Sequence, residues 1–185
     1  DATGGASATP WPHYHDDPSD RSDAARHPRV EEADAVAAMF AADPAMEARA
    51  AAVLAKYDST AMPTGASEER ADYWRRIVDH FATNTDGEFE EDAPFYVVDL
   101  CRVVVQMARW RRHLPGVKPY YAVKCNPSDA IIDMVAALGG SFDCASVAEF
   151  TQVMQRGAAK AGELIFANPC KMVSQIKEAQ AAGVT

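Results

Sequence analysis

The chain has 185 residues, of which 48% are hydrophobic and 24% charged, and its net charge is −9. This composition is typical of a globular protein with a buried core. The acidic balance argues against a nucleic-acid partner, because phosphate binding needs clustered Lys and Arg. Four scattered cysteines without a Cys-x-x-Cys pair argue against a structural zinc or a disulfide framework, so no metal is predicted and a cytoplasmic setting is favoured. No apolar run approaches the roughly 20 residues of a membrane span.

The first half of the chain is predicted to be an extension with little sheet. Residues 1–30 are rich in Asp, Ser, Pro, Ala, Gly and His and show no apolar periodicity, which predicts a disordered tail. Residues 31–93 are predicted to form a helical extension. Its Ala-rich first part is interrupted at Asp43-Pro44, and apolar residues at helical spacing predict an amphipathic helix over about 68–83.

From residue 94 onward the pattern becomes a regular alternation of strands and helices. Residues 94–100 read as a first strand and 101–113 as a helix. Three strand–helix units follow, with strands at 120–124, 141–145 and 164–168 and helices around 131–138, 147–156 and 173–182. Gly183 suits a helix C-cap, and a further strand is predicted to begin at Val184.

This alternation predicts an α/β fold with a parallel sheet, either an open doubly wound sheet or a β/α barrel. No Gly-rich phosphate loop follows any of the strands, which favours the barrel. A barrel has eight such units and about 250 residues. The chain is therefore expected to be an incomplete, N-terminal part of a (β/α)8 TIM-like barrel, carried by residues 94–185.

Lys124 is the first candidate for chemistry. Strand alternation places it on the same face as Tyr120 and Ala122, at the carboxyl end of the strand, where barrel enzymes carry their active sites. A partly desolvated lysine amine is a nucleophile toward carbonyls, so a Schiff base with an aldehyde cofactor is the natural use. The alternative is a surface lysine at a strand end.

Three polar residues lie on the next two strands or directly after them. Asp143 shares a strand face with Ser141 and is placed to pair with the ammonium of Lys124, which would keep both groups charged at neutral pH. Glu149 opens the following helix, where the alternative is a solvated first-turn acid favoured by the helix dipole. Asn168 precedes a proline, and its alternative is a turn-forming Asn-Pro.

Several segments in order resemble the eukaryotic-type ornithine decarboxylases. They are Pro-Tyr-Tyr-Ala-Val-Lys-Cys-Asn at 119–126, Phe-Asp-Cys-Ala-Ser at 142–146 with Glu149, Ala-Asn-Pro-Cys-Lys at 167–171, and Pro-Phe-Tyr-Val-Val-Asp-Leu at 94–100. The resemblance covers about 94–185, half of the chain.

The resemblance implies a fold-type III protein, with a barrel of the alanine racemase and ornithine decarboxylase type, a C-terminal β-domain and a homodimeric state. It implies decarboxylation of L-ornithine to putrescine for polyamine biosynthesis, dependent on pyridoxal 5′-phosphate, with an antizyme-type inhibitor protein as a possible partner. Lys124 and Asp143 would be catalytic, and Lys124, Asp143, Glu149 and Ala122 would bind the cofactor. The family's phosphate loop and substrate residues are expected beyond Thr185, so the 185 residues alone are expected to be inactive.

Three alternatives stay open. Non-catalytic homologues of the antizyme-inhibitor type share the fold, but they tend to lose the aspartate that Asp143 matches. Diaminopimelate and other basic amino-acid decarboxylases more often have Lys-Ala-Asn where this chain has Lys124-Cys125-Asn126. Small pyridoxal-phosphate-binding homeostasis proteins also have a barrel with a strand-end lysine, and the runs at 142–146 and 168–171 speak against them.

Overall fold

The computed structural model describes residues 29–57, 72–79 and 96–185, with side chains from residue 32 onward in the first range. The helices in these ranges are α1 (Arg29–Ala42), α2 (Pro44–Lys56), α3 (72–79), α4 (Leu100–His113), α5 (Asp129–Ala137), α6 (Val147–Gln155) and α7 (Val173–Ala182). The strands are β1 (Tyr120–Ala122), β2 (Ser141–Cys144) and β3 (Leu164–Phe166), and single 3-10 turns span Val123–Cys125 and Ala161–Glu163.

The three strands form one parallel sheet in the order β1-β2-β3, which confirms the predicted parallel α/β arrangement. Each strand is followed by a helix, as a parallel crossover requires. Gly183 ends α7 in the left-handed conformation at φ 74°, the predicted C-cap. The amide of Phe166 then donates to the carbonyl of Thr185 (2.7 Å), so the residues after α7 lie alongside β3, although 184–185 are not assigned to a strand.

One face of the sheet packs against the helices. Phe150 of α6 meets Phe166 of β3 edge to face, with ring centroids 5.8 Å apart. Phe142 and Cys144 are fully buried, and Cys144 is in register with Phe166 on this side. The opposite face carries a row of half-buried residues that are neighbours in register: Ala122, Asp143 and Ile165.

The helical extension packs on the outside of the α/β unit, with α1 against α4 and α2 against α5. The predicted break between α1 and α2 is confirmed. The side chain of Asp43 accepts a hydrogen bond from Met46 N (3.1 Å), and Pro44 occupies the first turn, where a missing N–H costs nothing.

Glu32 of α1 is buried, with Arg102 and Arg109 of α4 each 3.6 Å from its carboxylate.

A second polar contact ties α2 to α5 and α6. Asp133 accepts hydrogen bonds from Lys56 Nζ (2.6 Å), Tyr57 Oη (2.7 Å), and Arg156 through Nε (2.9 Å) and one terminal nitrogen (2.8 Å). The other terminal nitrogen of Arg156 lies 2.5 Å from Asp129. These five residues are called the α2 clamp below. The clamp joins the extension to the unit that carries the sheet.

The first predicted strand is wrong over the residues that are described. Residues 96–99 form no strand, and Leu100 already begins α4. Asp99 caps this helix by accepting from Cys101 N (3.0 Å) and Arg102 N (3.3 Å), and no described strand lies beside it to complete a ladder. A run of β-branched and aromatic residues becomes a strand only when a neighbour supplies the hydrogen bonds.

The predictions for the N-terminal half are tested only in part. Of the predicted tail 1–30, residues 29 and 30 are described, and both belong to α1; the rest lies outside the described residues. Of the predicted helix at 68–83, residues 72–79 are described and are helical. Among the described helices, none combines the length and the apolar character needed to cross a bilayer.

Candidate functional site

Lys124 lies just past β1 rather than at its last position. The strand ends at Ala122, and Lys124 is the middle residue of the 3-10 turn Val123–Cys125. The predicted strand of 120–124 is therefore two residues too long, because the alternation of a strand stops where the chain turns. Val123 is fully buried and anchors the turn, whereas Lys124 is exposed at the carboxyl end of the sheet.

Asp143 lies on the neighbouring strand, in register with Ala122. Its side chain is half-buried, and no described residue donates a hydrogen bond to its carboxylate. The predicted ion pair between Lys124 and Asp143 is not formed within the described part of the chain. The structure thus brings the two residues to neighbouring strand ends without joining them. Ala122, the register neighbour of Asp143, carries only a methyl group.

Glu149 is held by the backbone of the turn that leads from β2 into α6. Its Oε2 accepts from Ala145 N (2.8 Å), and its own amide donates to Ser146 Oγ (3.2 Å) at the N-cap of α6. This is a variant of the capping box, in which serine and glutamate satisfy free amides at a helix start. The first-turn position predicted for Glu149 is confirmed, and its contact here is to the backbone rather than to Lys124.

The turns after β1 and β3 share one hydrogen-bonding arrangement. Asn126 Oδ1 accepts from Ser128 N (3.0 Å), and Asn168 Oδ1 accepts from Cys170 N (3.1 Å). Both asparagines precede a proline, and both form the Asx turn that such a pair favours. The turn-forming interpretation of Asn168 is therefore confirmed, whereas Asn126 was not singled out, although the repeated Asn-Pro pair marks both positions.

The buried cysteine beside Asp143 is not suited to act as a nucleophile. Burial raises the pKa of the Cys144 thiol, and the negative charges of Glu149 and Asp143 raise it further, to about 12. Cys144 therefore stays protonated at neutral pH. Cys125 and Cys170 are exposed in the turns after β1 and β3. Within the described ranges, no cluster of His, Cys, Asp and Glu is suited to hold a metal ion.

A surface groove of about 660 Å³ lies along α6. Its lining includes Lys56, Asp129, Thr151, Gln152 and Arg156, and none of the predicted site residues. The groove does not coincide with the candidate site. The charged groups in its wall already pair with one another in the α2 clamp.

Comparison with known proteins shows which family the site-carrying part of the chain resembles. Residues 100–185 match the family model described as pyridoxal-dependent decarboxylase, pyridoxal binding domain. These residues are similar to the pyridoxal binding domain of the pyridoxal-dependent decarboxylases. The ornithine decarboxylase of Leishmania donovani is 53% identical over 98 residues, which cover 52% of this chain and 14% of that protein. The ornithine decarboxylase of Mus musculus is 46% identical over 108 residues, 58% of this chain and 23% of the relative.

A plant relative extends the comparison. The chloroplastic ornithine decarboxylase of Nicotiana glutinosa is 45% identical over 95 residues, 51% of this chain and 22% of that protein. The chain thus spans less than a quarter of the length of each of these relatives. The matched region of the family model contains Lys124, Asp143 and Glu149.

Proposed function

We propose that Lys124 holds pyridoxal 5′-phosphate at the carboxyl end of the sheet, and that the protein containing this chain decarboxylates L-ornithine to putrescine. The observation that carries the proposal is the position of Lys124. It is an exposed amine directly after β1, at the carboxyl end of a parallel sheet and inside the region that matches the pyridoxal-binding family.

The described residues fit an aldehyde cofactor. Condensation needs an amine that is accessible, and the Lys124 side chain is exposed and has no ion-pair partner in the described part of the chain. Ala122 and Asp143 are neighbours in register on one face of the sheet. The carboxylate of Asp143, without a hydrogen-bond donor among the described residues, offers an acceptor to a polar group of a cofactor or substrate.

Each of these residues has a distinct proposed task. When bound, the cofactor supplies an electron-withdrawing ring that stabilises the negative charge left on carbon as CO₂ departs. Lys124 anchors the cofactor and, once its amine is released, holds or gives a proton at Nζ. Asp143 accepts hydrogen bonds from protonated groups at the strand ends. Glu149 keeps the β2–α6 turn in place, and with it the position of Asp143.

The proposal also covers the complete barrel, the oligomeric state, the location and the regulation of the protein. The three parallel units are consistent with the first part of a (β/α)8 barrel, because each strand is followed by a helix on one face of the sheet. We infer a homodimeric state, a cytoplasmic location and regulation by an antizyme-type protein from the resemblance to ornithine decarboxylases alone.

The test is release of labelled CO₂ from L-[1-¹⁴C]ornithine by the complete protein with added cofactor. Lys124→Ala is expected to lower kcat by at least about a hundredfold, the scale of losing a positioned proton-transfer group. Lys118→Ala is the matched control, because Lys118 is also an exposed lysine beside β1. Its contacts are weak: its Nζ lies 3.8 Å from Glu163 and 6.0 Å from the ring centre of Tyr120. Equal loss in both variants, or none in Lys124→Ala, would contradict the assignment.

Substrate and mechanism are separated by two further measurements. The activity toward ornithine, lysine, arginine and diaminopimelate identifies the amino acid, and we expect ornithine to be preferred. Borohydride reduction in the presence of pyridoxal 5′-phosphate, followed by peptide mass spectrometry, locates the modified lysine. Labelling of Lys124 without CO₂ release from any of the four would indicate a non-catalytic homologue instead.

A further inference from the structure

Tyr121 lies on the opposite face of β1 from the candidate site. It is in register with Phe142, whose side chain is fully buried against the helices. The ring of Tyr121 packs against the same core and is half-buried. Its hydroxyl donates a hydrogen bond to the backbone carbonyl of Asn126 (3.0 Å). This hydrogen bond connects a strand residue before the turn Val123–Cys125 to the first residue after it.

We propose that Tyr121 is a positioning residue for Lys124, fixing the turn that presents the amine to its aldehyde partner. The identity of that partner rests on the proposed function. Tyr121 is not a catalytic residue, because it approaches the turn from the face that packs on the helices. Its hydroxyl acts on the backbone two residues beyond Lys124, not on the amine.

In the described part of the chain, several contacts hold the turn and the residues after it, among them a hydrogen bond from Gln152 Nε2 to the Pro127 carbonyl (3.0 Å). Val123 is buried at the start of the turn, and the Asx contact of Asn126 with Ser128 orders the residues that follow it. The Tyr121 hydroxyl links these two parts, because it ties the Asn126 carbonyl to a ring fixed in the core. Without the Tyr121 hydroxyl, we expect the residues at the end of the turn to become more mobile, while β1 and α5 keep their positions.

The physical consequence is a loss of pre-organisation. Nucleophilic attack requires the amine to be held close to the reacting carbon, and small misplacements are costly. The net value of one hydrogen bond corresponds to a change of about two- to twelvefold in the population of the closed turn. The rate at which Lys124 reacts should fall by a similar factor, without any change in the chemical groups at the site.

The test compares Tyr121→Phe with Tyr120→Phe in the complete protein. Each variant removes one phenolic hydroxyl from adjacent positions of β1, and the structure gives the Tyr120 hydroxyl no hydrogen bond to any described residue. Two quantities are measured well below the unfolding temperature. The first is hydrogen exchange of the backbone amides of residues 123–126, which needs no cofactor. The second is the rate at which Lys124 is labelled by pyridoxal 5′-phosphate and borohydride. In this reaction the amine condenses with the aldehyde, water leaves, and borohydride reduces the new C=N bond.

For Tyr121→Phe we expect faster exchange at residues 123–126 and labelling of Lys124 slowed about two- to twelvefold, with Tyr120→Phe unchanged in both. A purely structural role would lower the unfolding temperature and leave labelling of the folded protein unaltered. That outcome overturns the inference, as does equal behaviour of the two variants.

Failure of the proposed function gives a different result. In that case Lys124 of the unmodified protein is labelled no faster than the exposed Lys118. Exchange of the amides at 123–126 still reports whether the Tyr121 hydroxyl closes the turn, and unchanged exchange in Tyr121→Phe then rejects the positioning role on its own.

Discussion

Replacing Asp133 by alanine removes the centre of the α2 clamp and should loosen the extension from the α/β unit. The carboxylate is only 12% exposed and accepts two hydrogen bonds from Arg156, whose side chain is 19% exposed. A hydrogen bond to a charged group is worth about 1.5–3 kcal/mol, and members of one network are not additive. Lys56 is exposed and adds little. Asp129 still compensates part of the Arg156 charge, so we expect a loss of about 2–4 kcal/mol in the free energy of unfolding.

The same network makes this contribution depend on pH. Burial raises the pKa of Asp133, but hydrogen bonds from Arg156, Lys56 and Tyr57 lower it by more, so that it lies well below its usual range. In the unfolded chain an aspartate titrates near about 3.9. The stabilisation is therefore complete above about pH 5 and is lost as the pH falls from there through the folded pKa. Asp133→Asn should unfold with a shallower dependence on pH between about 5 and 3.

The assay is urea unfolding followed by circular dichroism, at pH 7 and across the acid range. Asp72→Ala is the matched control, because Asp72 pairs with Arg75 on an exposed helix face and its loss should change stability by less than about 0.5 kcal/mol. The reasoning is refuted if Asp133→Ala costs no more than this control, or if wild type and Asp133→Asn lose stability in acid along parallel curves.

Three further substitutions and one reaction test other parts of the structure. The Ser141 hydroxyl is buried without a described hydrogen-bond partner. In thermal unfolding, Ser141→Ala should therefore leave the free energy of unfolding unchanged or raise it by about 1 kcal/mol. A clear loss of stability would show that the hydroxyl has a partner. Gly140→Ala should destabilise by about 1–3 kcal/mol, since its new Cβ would lie 2.7 Å from Val135 Cγ1 and 3.1 Å from the Val135 carbonyl. In the folded protein a maleimide should modify Cys125 and not Cys144, by peptide mass spectrometry, because Cys144 is buried with a pKa of about 12. In the Cys125→Ser variant, the label at position 125 should be absent and Cys144 should remain unmodified.

The sequence by itself determined the order of the elements after residue 100, and it made Lys124 the candidate lysine for chemistry. Periodicity is a local property, so α7 could be placed at 173–182 and the parallel sheet inferred from alternating units. Helix boundaries were equally accessible where a side chain caps its own helix, as at Asp43-Pro44. The resemblance around Lys124 pointed to a family, and residues 100–185 match the model of its pyridoxal binding domain.

Tertiary structure decided where those elements stop and which groups meet. β1 ends at Ala122 because Val123 turns into the core, and residues 96–99 form no strand because no described strand lies beside them. Local patterns carry no information on partners far apart in the chain. Tyr57 and Arg156 are 99 positions apart, yet they share a hydrogen bond in the α2 clamp. Such contacts depend on how the helices pack, and packing is a property of the whole fold.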